Sequence, residues 1–210
     1  LTFAADCEDG VTMRFNGGTE FPSMRALGAA GDVSATYSVA RSIAREMRAI
    51  GLHWNYAPVA DVNSNPANPI INTRSFGDEP LLVADHVHAY IRGMQDGGVA
   101  ACAKHFPGHG DTSTDSHLDV VVIPGDRRRL DNVELPPFRE AMRQGVMSVM
   151  VGHISSEALD PGSSLPATLS SVVVTDLLRK EFAYEGVIVT DALDMSAIAE
   201  RYPDGEGSLR

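Results

Sequence analysis

A chain of 210 residues can hold one sizeable core and at most two small ones. With 43% hydrophobic and 21% charged residues it has the composition of an ordinary soluble globular protein. The net charge of −11 argues against nucleic acid and anionic membranes as partners. No run of roughly eighteen apolar residues occurs, so no spanning helix is expected. The chain starts at Leu1 without a visible signal peptide, so cytoplasmic and secreted locations both stay open. Cys7 and Cys102 lie in apolar surroundings and are expected as buried free thiols.

Along the chain, strand and helix signals alternate. Residues 2–6 form a short apolar run ending in Asp6, with Glu8 just beyond. Residues 34–50 place Val39, Ile43, Met47 and Ile50 at helical spacing, closed by Gly51. Residues 52–59 are the next strand, ending near Asp61. The loop 62–77 is long and rich in Asn and Pro, and a loop of that length is usually functional. Residues 81–94 are helical, with Gly97 and Gly98 after them, and 99–104 are a strand. Arg127, Arg128 and Arg129 form the only basic run, expected as a solvated loop. Residues 132–144 read as a helix whose first turn is set by Pro136 and Pro137. Residues 146–153 are a strand, 175–182 a helix, and 186–190 a strand followed by Asp191.

This rhythm implies parallel strands joined by crossover helices, hence an α/β fold. Polar residues recur at every strand end: Asp6 and Glu8, Asp61, Lys104 and His105, His153, Asp191. In a (β/α) TIM-type barrel those ends meet at one mouth, where active sites sit. A full barrel has eight strands over about 250 residues, and only five are readable. The expectation is therefore an open, incomplete barrel, or one completed by another chain, with exposed edges that favour self-association.

The densest chemistry lies between Lys104 and His117, in Lys-His-Phe-Pro-Gly-His-Gly-Asp-Thr-Ser-Thr-Asp-Ser-His. Three histidines, two aspartates and a lysine past a strand end make a poor core. Gly108 and Gly110 allow a tight turn or a close approach to a ligand. Lysine is seldom buried unpaired, so Lys104 suits bonding to sugar hydroxyls or an acid. Asp115 can fix the tautomer of His117 and make it a general acid/base. Arg74 could clamp a substrate from its loop. Asp191, at the end of an apolar strand, is expected as a nucleophile or base, with Asp194 free to cap the next helix. The histidine spacing matches no structural zinc site and no helical His pair with a Glu base, so no metal is expected.

These residues carry a resemblance. Residues 104–117 resemble the signature of glycoside hydrolase family 3 in its β-N-acetylhexosaminidase branch. The segments Ala-Pro-Val-Ala-Asp ending at Asp61, Asn-Thr-Arg-Ser-Phe-Gly around Arg74, and Val-Ile-Val-Thr-Asp ending at Asp191 agree in order and spacing. The segment from Asp6 to Phe15 is similar but has Asp9 for a glycine and Val11 for an arginine. The resemblance implies a single catalytic domain over 1–210, a truncated family 3 N-terminal barrel. It implies a retaining enzyme without a cofactor, acting on oligosaccharides or small glycosides with terminal β-linked N-acetylglucosamine. Asp191 would be the nucleophile and His117, oriented by Asp115, the acid/base. Asp6, Arg14, Asp61, Arg74, Lys104 and His105 would hold the sugar. A β-glucosidase specificity or an inactive sugar-binding fragment are the alternatives, and hydrolysis and phosphorolysis both stay open.

Overall fold

The computed structural model describes residues 1–112 and 121–202. Among these residues seven short strands, all paired in parallel, alternate with helices. β1 (Ala4–Ala5) pairs with β2 (Trp54–Asn55). Parallel bridges Trp54–Ala100 and Val59–Lys104 tie the β2 segment to β3 (Cys102–Phe106). β3 pairs with β5 (Ser148–Val151), and β5 with β7 (Val187–Thr190). The result is one parallel arc in the order β1, β2, β3, β5, β7, which are the five strands expected from the sequence. No closed barrel forms among the described residues, and β1 and β7 have no further strand neighbour there. A small second pair, β4 (Val121–Val122) with β6 (Ile154–Ser155), extends from the ends of β3 and β5 and was not anticipated.

The helices follow local rules. α1 (Met24–Ala30) is capped by the Ser23 hydroxyl, and α2 (Val33–Ala49) by the Asp32 carboxylate, which takes the N–H groups of Ser34 and Ala35. α3 (Pro80–Asp96) opens on a proline, whose missing N–H costs nothing in a first turn. α2 and α3 pack tightly: a Cβ on Gly93 would lie 2.3 Å from the Tyr37 carbonyl oxygen, so only glycine permits this approach. α3 also packs on α5 (Pro136–Arg143).

Two expectations need correction here. The helix expected over 132–144 is shorter, α5 starting only at Pro136, where prolines that lack an N–H fit a first turn, and a separate α4 (Arg127–Asn132) precedes it. The arginine run is not a solvated loop but the first half of α4. Arg127 pairs with Asp131 one turn along, at 2.9 Å. Arg129 reaches Asp111 at 2.8 Å and Glu134 at 3.2 Å. A ten-residue π-helix (Val172–Glu181) precedes β7, and α6 (Ser196–Ala199) follows it. Met195 holds the N-cap position of α6 and no side chain caps the helix, so neither Asp191 nor Asp194 serves there.

The core is one cluster between helices and strands, including Ile43, Met47, Val87, Tyr90, Ile91, Phe106 and Phe138. Cys7 and Cys102 are both buried and free. No helix is long and apolar enough to cross a membrane among the described residues.

Candidate active site

The C-terminal ends of the strands enclose a cleft of about 570 Å³. Asp6, Glu8, Arg14, Arg74, Lys104, His105, His109 and Asp191 line it, beside apolar Met13, Ile70, Met150 and Met195. Side chains alternate along a regular strand, yet Lys104 and His105 are neighbours and both face the cleft. The register of β3 against β5 shifts between Ala103 and Phe106, an irregularity that re-aims side chains at a strand end.

Lys104 is only 2% exposed. Its ammonium lies 2.8 Å from Asp6 Oδ1 and 2.7 Å from Glu8 Oε1. A buried cation needs such partners. Burial pushes the Lys104 ammonium down, but Glu8 and Asp6 outweigh it and hold the group above its ordinary range. Glu8 also takes a two-point contact from Arg74, at 2.7 Å from Nη2 and 3.0 Å from Nε. Burial works to raise the Glu8 carboxyl, and the Lys104 charge with the Arg74 hydrogen bond more than reverses this, bringing it to about 2. Arg14 Nη2 lies 3.3 Å from the second oxygen of Asp6.

Asp61 is not where the resemblance implied. It does not line the cleft, and it is fully buried. Its carboxylate accepts the N–H of His109 at 2.7 Å, the N–H of His105 at 3.2 Å, and His105 Nδ1 at 2.7 Å. Burial raises its carboxyl, but His105 and these donors hold it below the usual carboxylate range. It bonds to His105 and His109 from beneath the cleft. A carboxylate can only accept, so Nδ1 of His105 carries the proton. Nε2 then accepts from Arg74 Nη2 at 3.4 Å. Asp61 thus sets the tautomer of His105 from behind.

The Asn-rich loop positions Arg74. Asn68 Oδ1 accepts the N–H groups of Ile70 and Ile71, and Asn63 Oδ1 accepts that of Asn72. Short carboxamides bonding to nearby backbone stabilise such non-repetitive turns. Asn68 Nδ2 also donates to the His109 carbonyl at 2.7 Å, joining this loop to the one after β3. Gly110 serves the same junction: a Cβ there would lie 1.7 Å from the Val62 carbonyl oxygen. The close approach is to backbone, not to a ligand. At Gly108 a positive φ and the Glu134 side chain, 2.7 Å from an added Cβ, impose the same choice.

Asp191 follows β7 and lines the cleft opposite these groups. Its Oδ1 accepts the Ala192 N–H at 2.9 Å. Burial pushes its carboxyl up, but His105, the Ala192 N–H, His153 and Lys104 together hold it below the usual range. It is therefore ionised at neutral pH. Six of the expected site residues, Asp6, Arg14, Arg74, Lys104, His105 and Asp191, share this one cleft. Asp115 and His117 lie outside the described residues. Glu8, His109 and the apolar wall were given no role beforehand. For Glu8 the available signal was its position two residues past Asp6 beyond a strand end. Among the described residues no three His, Cys, Asp or Glu side chains are arranged to hold a metal ion.

Residues 1–209 match the family described as Glycosyl hydrolase family 3 N terminal domain. Beta-hexosaminidase A of Pseudoalteromonas piscicida is 40% identical over 95% of this chain and 36% of its own length. A Beta-N-acetylglucosaminidase/beta-glucosidase of Cellulomonas fimi is 36% identical over the whole chain and 39% of its own. The solved structure of a family 3 β-N-acetylglucosaminidase from Paenibacillus sp. str. FPU-7 superposes with a TM-score of 0.96 at 50% identity, covering all of this chain and 40% of that one. The chain thus spans between a third and two fifths of the length of these relatives.

Proposed function

This chain belongs to glycosyl hydrolase family 3, and from that premise we propose that it is the catalytic part of a retaining β-N-acetylglucosaminidase. The observation that carries the reading is the cleft itself. The ionised carboxylate of Asp191 shares the cleft with hydrogen-bonding groups, Asp6, Glu8, Arg14, Arg74 and Lys104, whose charges are paired with one another. Such a set suits neutral sugar hydroxyls. The three cations Arg14, Arg74 and Lys104 are already matched by Asp6 and Glu8, with Asp191 nearby, which favours water over phosphate as the second substrate.

In the proposed reaction Asp191 attacks the anomeric carbon, forming a C–O bond as the glycosidic C–O bond breaks. His117, oriented by Asp115, gives its proton to the leaving oxygen. His117 then takes a proton from water, whose oxygen displaces the Asp191 carboxylate and restores it. The imidazole takes the part that a second carboxyl group plays in most retaining glycosidases. Asp6, Arg14, Arg74, Lys104 and His105 hold the sugar, and no cofactor takes part.

The double name of the Cellulomonas fimi relative gives β-glucosidase activity as a second reading. The two are separated by turnover of nitrophenyl N-acetylglucosaminide and nitrophenyl glucoside side by side. The acid/base assignment is tested by His117→Ala. That variant should lose about 10²- to 10⁴-fold on alkyl glycosides and far less on nitrophenyl ones, which leave with little protonation. An equal loss on both would leave His117 a structural residue.

A further inference from the structure

His153, two residues past β5, is fully buried and has no part in the chemistry above. Its Nε2 lies 2.9 Å from the Ala192 carbonyl oxygen. A carbonyl only accepts, so Nε2 carries the proton. In the neutral ring Nδ1 is then an acceptor, and it takes the Thr168 hydroxyl at 3.0 Å. The Ala192 N–H in turn donates to Asp191 Oδ1 at 2.9 Å. The hydrogen bonds run one way, from the Thr168 hydroxyl through the imidazole and Ala192 to the carboxylate.

The need for such a device is local. β7 is half-exposed along its length and is paired only on the β5 side among the described residues. Packing around the strand therefore does little to aim the residue that follows it. The Asp191 N–H bonds to the Val151 carbonyl at 2.9 Å, which fixes its backbone. The remaining freedom is the direction of the side chain, and the Ala192 peptide restricts it.

We propose that His153 is a positioning residue that holds Ala192 and thereby aims the Asp191 carboxylate. The inference rests on the reading of Asp191 as nucleophile. His153→Leu removes the donor and leaves the Ala192 carbonyl unpaired. His153→Gln keeps an amide N–H near the place of Nε2. Both are made in the full-length protein together with Asp191→Ala and Thr168→Val. The measurements are kcat and KM on nitrophenyl and alkyl N-acetylglucosaminides, and the melting temperature.

His153→Leu should lower kcat about 10²-fold, the scale of a small misplacement of a reacting group, with KM within about twofold. The loss should be alike for both leaving groups, because it acts on the nucleophile rather than on the proton donor. His153→Gln should recover most of it. A folded His153→Leu protein with unchanged kcat would overturn the proposal, and so would a loss confined to alkyl glycosides or one that His153→Gln does not recover. Should His153→Leu not fold, Thr168→Val decides: it breaks the run one bond further out and should cost about tenfold in kcat, and no loss would overturn the proposal. An active Asp191→Ala protein would instead sink the nucleophile reading. An inactive Asp191→Ala beside an unaffected His153→Leu would sink this inference alone.

Discussion

β3 and β7 are both short, apolar and parallel, and each delivers charged chemistry at its C-terminal end, yet their surroundings differ. β3 has strand neighbours on both sides, and all five of its residues are buried. β7 has one neighbour among the described residues, and Val187 at its start is 54% exposed. The side chains at the end of β3 are held by tertiary contacts from all round. Lys104 meets Asp6 and Glu8 from the β1 loop, and His105 meets Asp61 beyond β2 and Arg74. Asp191, beyond β7, has fewer such contacts: its N–H bonds to the Val151 carbonyl, its Oδ1 takes the Ala192 N–H, and His153 bonds to the Ala192 carbonyl behind it. The sugar-holding half of the proposed site is thus built around a strand paired on both sides, while the proposed nucleophile follows a strand with one neighbour among the described residues.

That contrast can be broken at β3 first. Lys104→Met leaves Asp6 and Glu8 without their shared ammonium. Removing one partner of a buried ion pair typically costs about 3–5 kcal/mol. The urea midpoint should fall accordingly. A change below about 1 kcal/mol, the size of an exposed pair, would mean that the cluster is not preorganised.

Acid tests the same cluster without mutation. The Glu8 carboxyl, at about 2 in the folded protein, lies below its ordinary value of 4.5. A depressed carboxyl contributes stability that is complete above the unfolded value and fades as the pH falls through the folded one. The expected contribution is about 3 kcal/mol, lost between pH 4.5 and 2. Urea unfolding across that window should show the loss, and Glu8→Gln should flatten that part of the profile. An unchanged slope in Glu8→Gln would remove Glu8 from the account.

The smallest effect belongs to the β7 edge. Val187→Lys in this 210-residue chain should change stability by no more than about 0.5 kcal/mol, as for a surface site. A lysine also discourages edge pairing, so any concentration-dependent association seen by sedimentation should weaken. A loss of 2 kcal/mol or more, about what burying an unpaired polar group costs, would show the edge to be covered in solution.

Much of this was legible in the sequence, for physical reasons. The five strands of the arc announce themselves as apolar runs with acids or bases at their ends, because parallel strands are buried and their C-terminal ends carry the polar work. Lys104 and Asp191 were found that way. What was missed depends on distance along the chain. Glu8 meets Arg74 across 66 residues, and Asp6 meets Lys104 across 98. Asp61 looks like a strand-end acid facing the mouth, and nothing local says that three donors hold it beneath the mouth instead. Arg129 looked like one of three solvated charges until Asp111 and Glu134 were seen beside it.

The central claim is that Asp191 forms a covalent bond to the sugar, and trapping that bond tests it most directly. The full-length protein would be incubated with a fluorinated N-acetylglucosaminyl substrate that carries a good leaving group and turns over slowly, then digested and mapped by mass spectrometry. The account predicts one added sugar per chain, on the peptide containing Asp191 and absent from Asp191→Ala. A label on another carboxylate, or rapid turnover of the natural substrate with no covalent adduct formed, would contradict it.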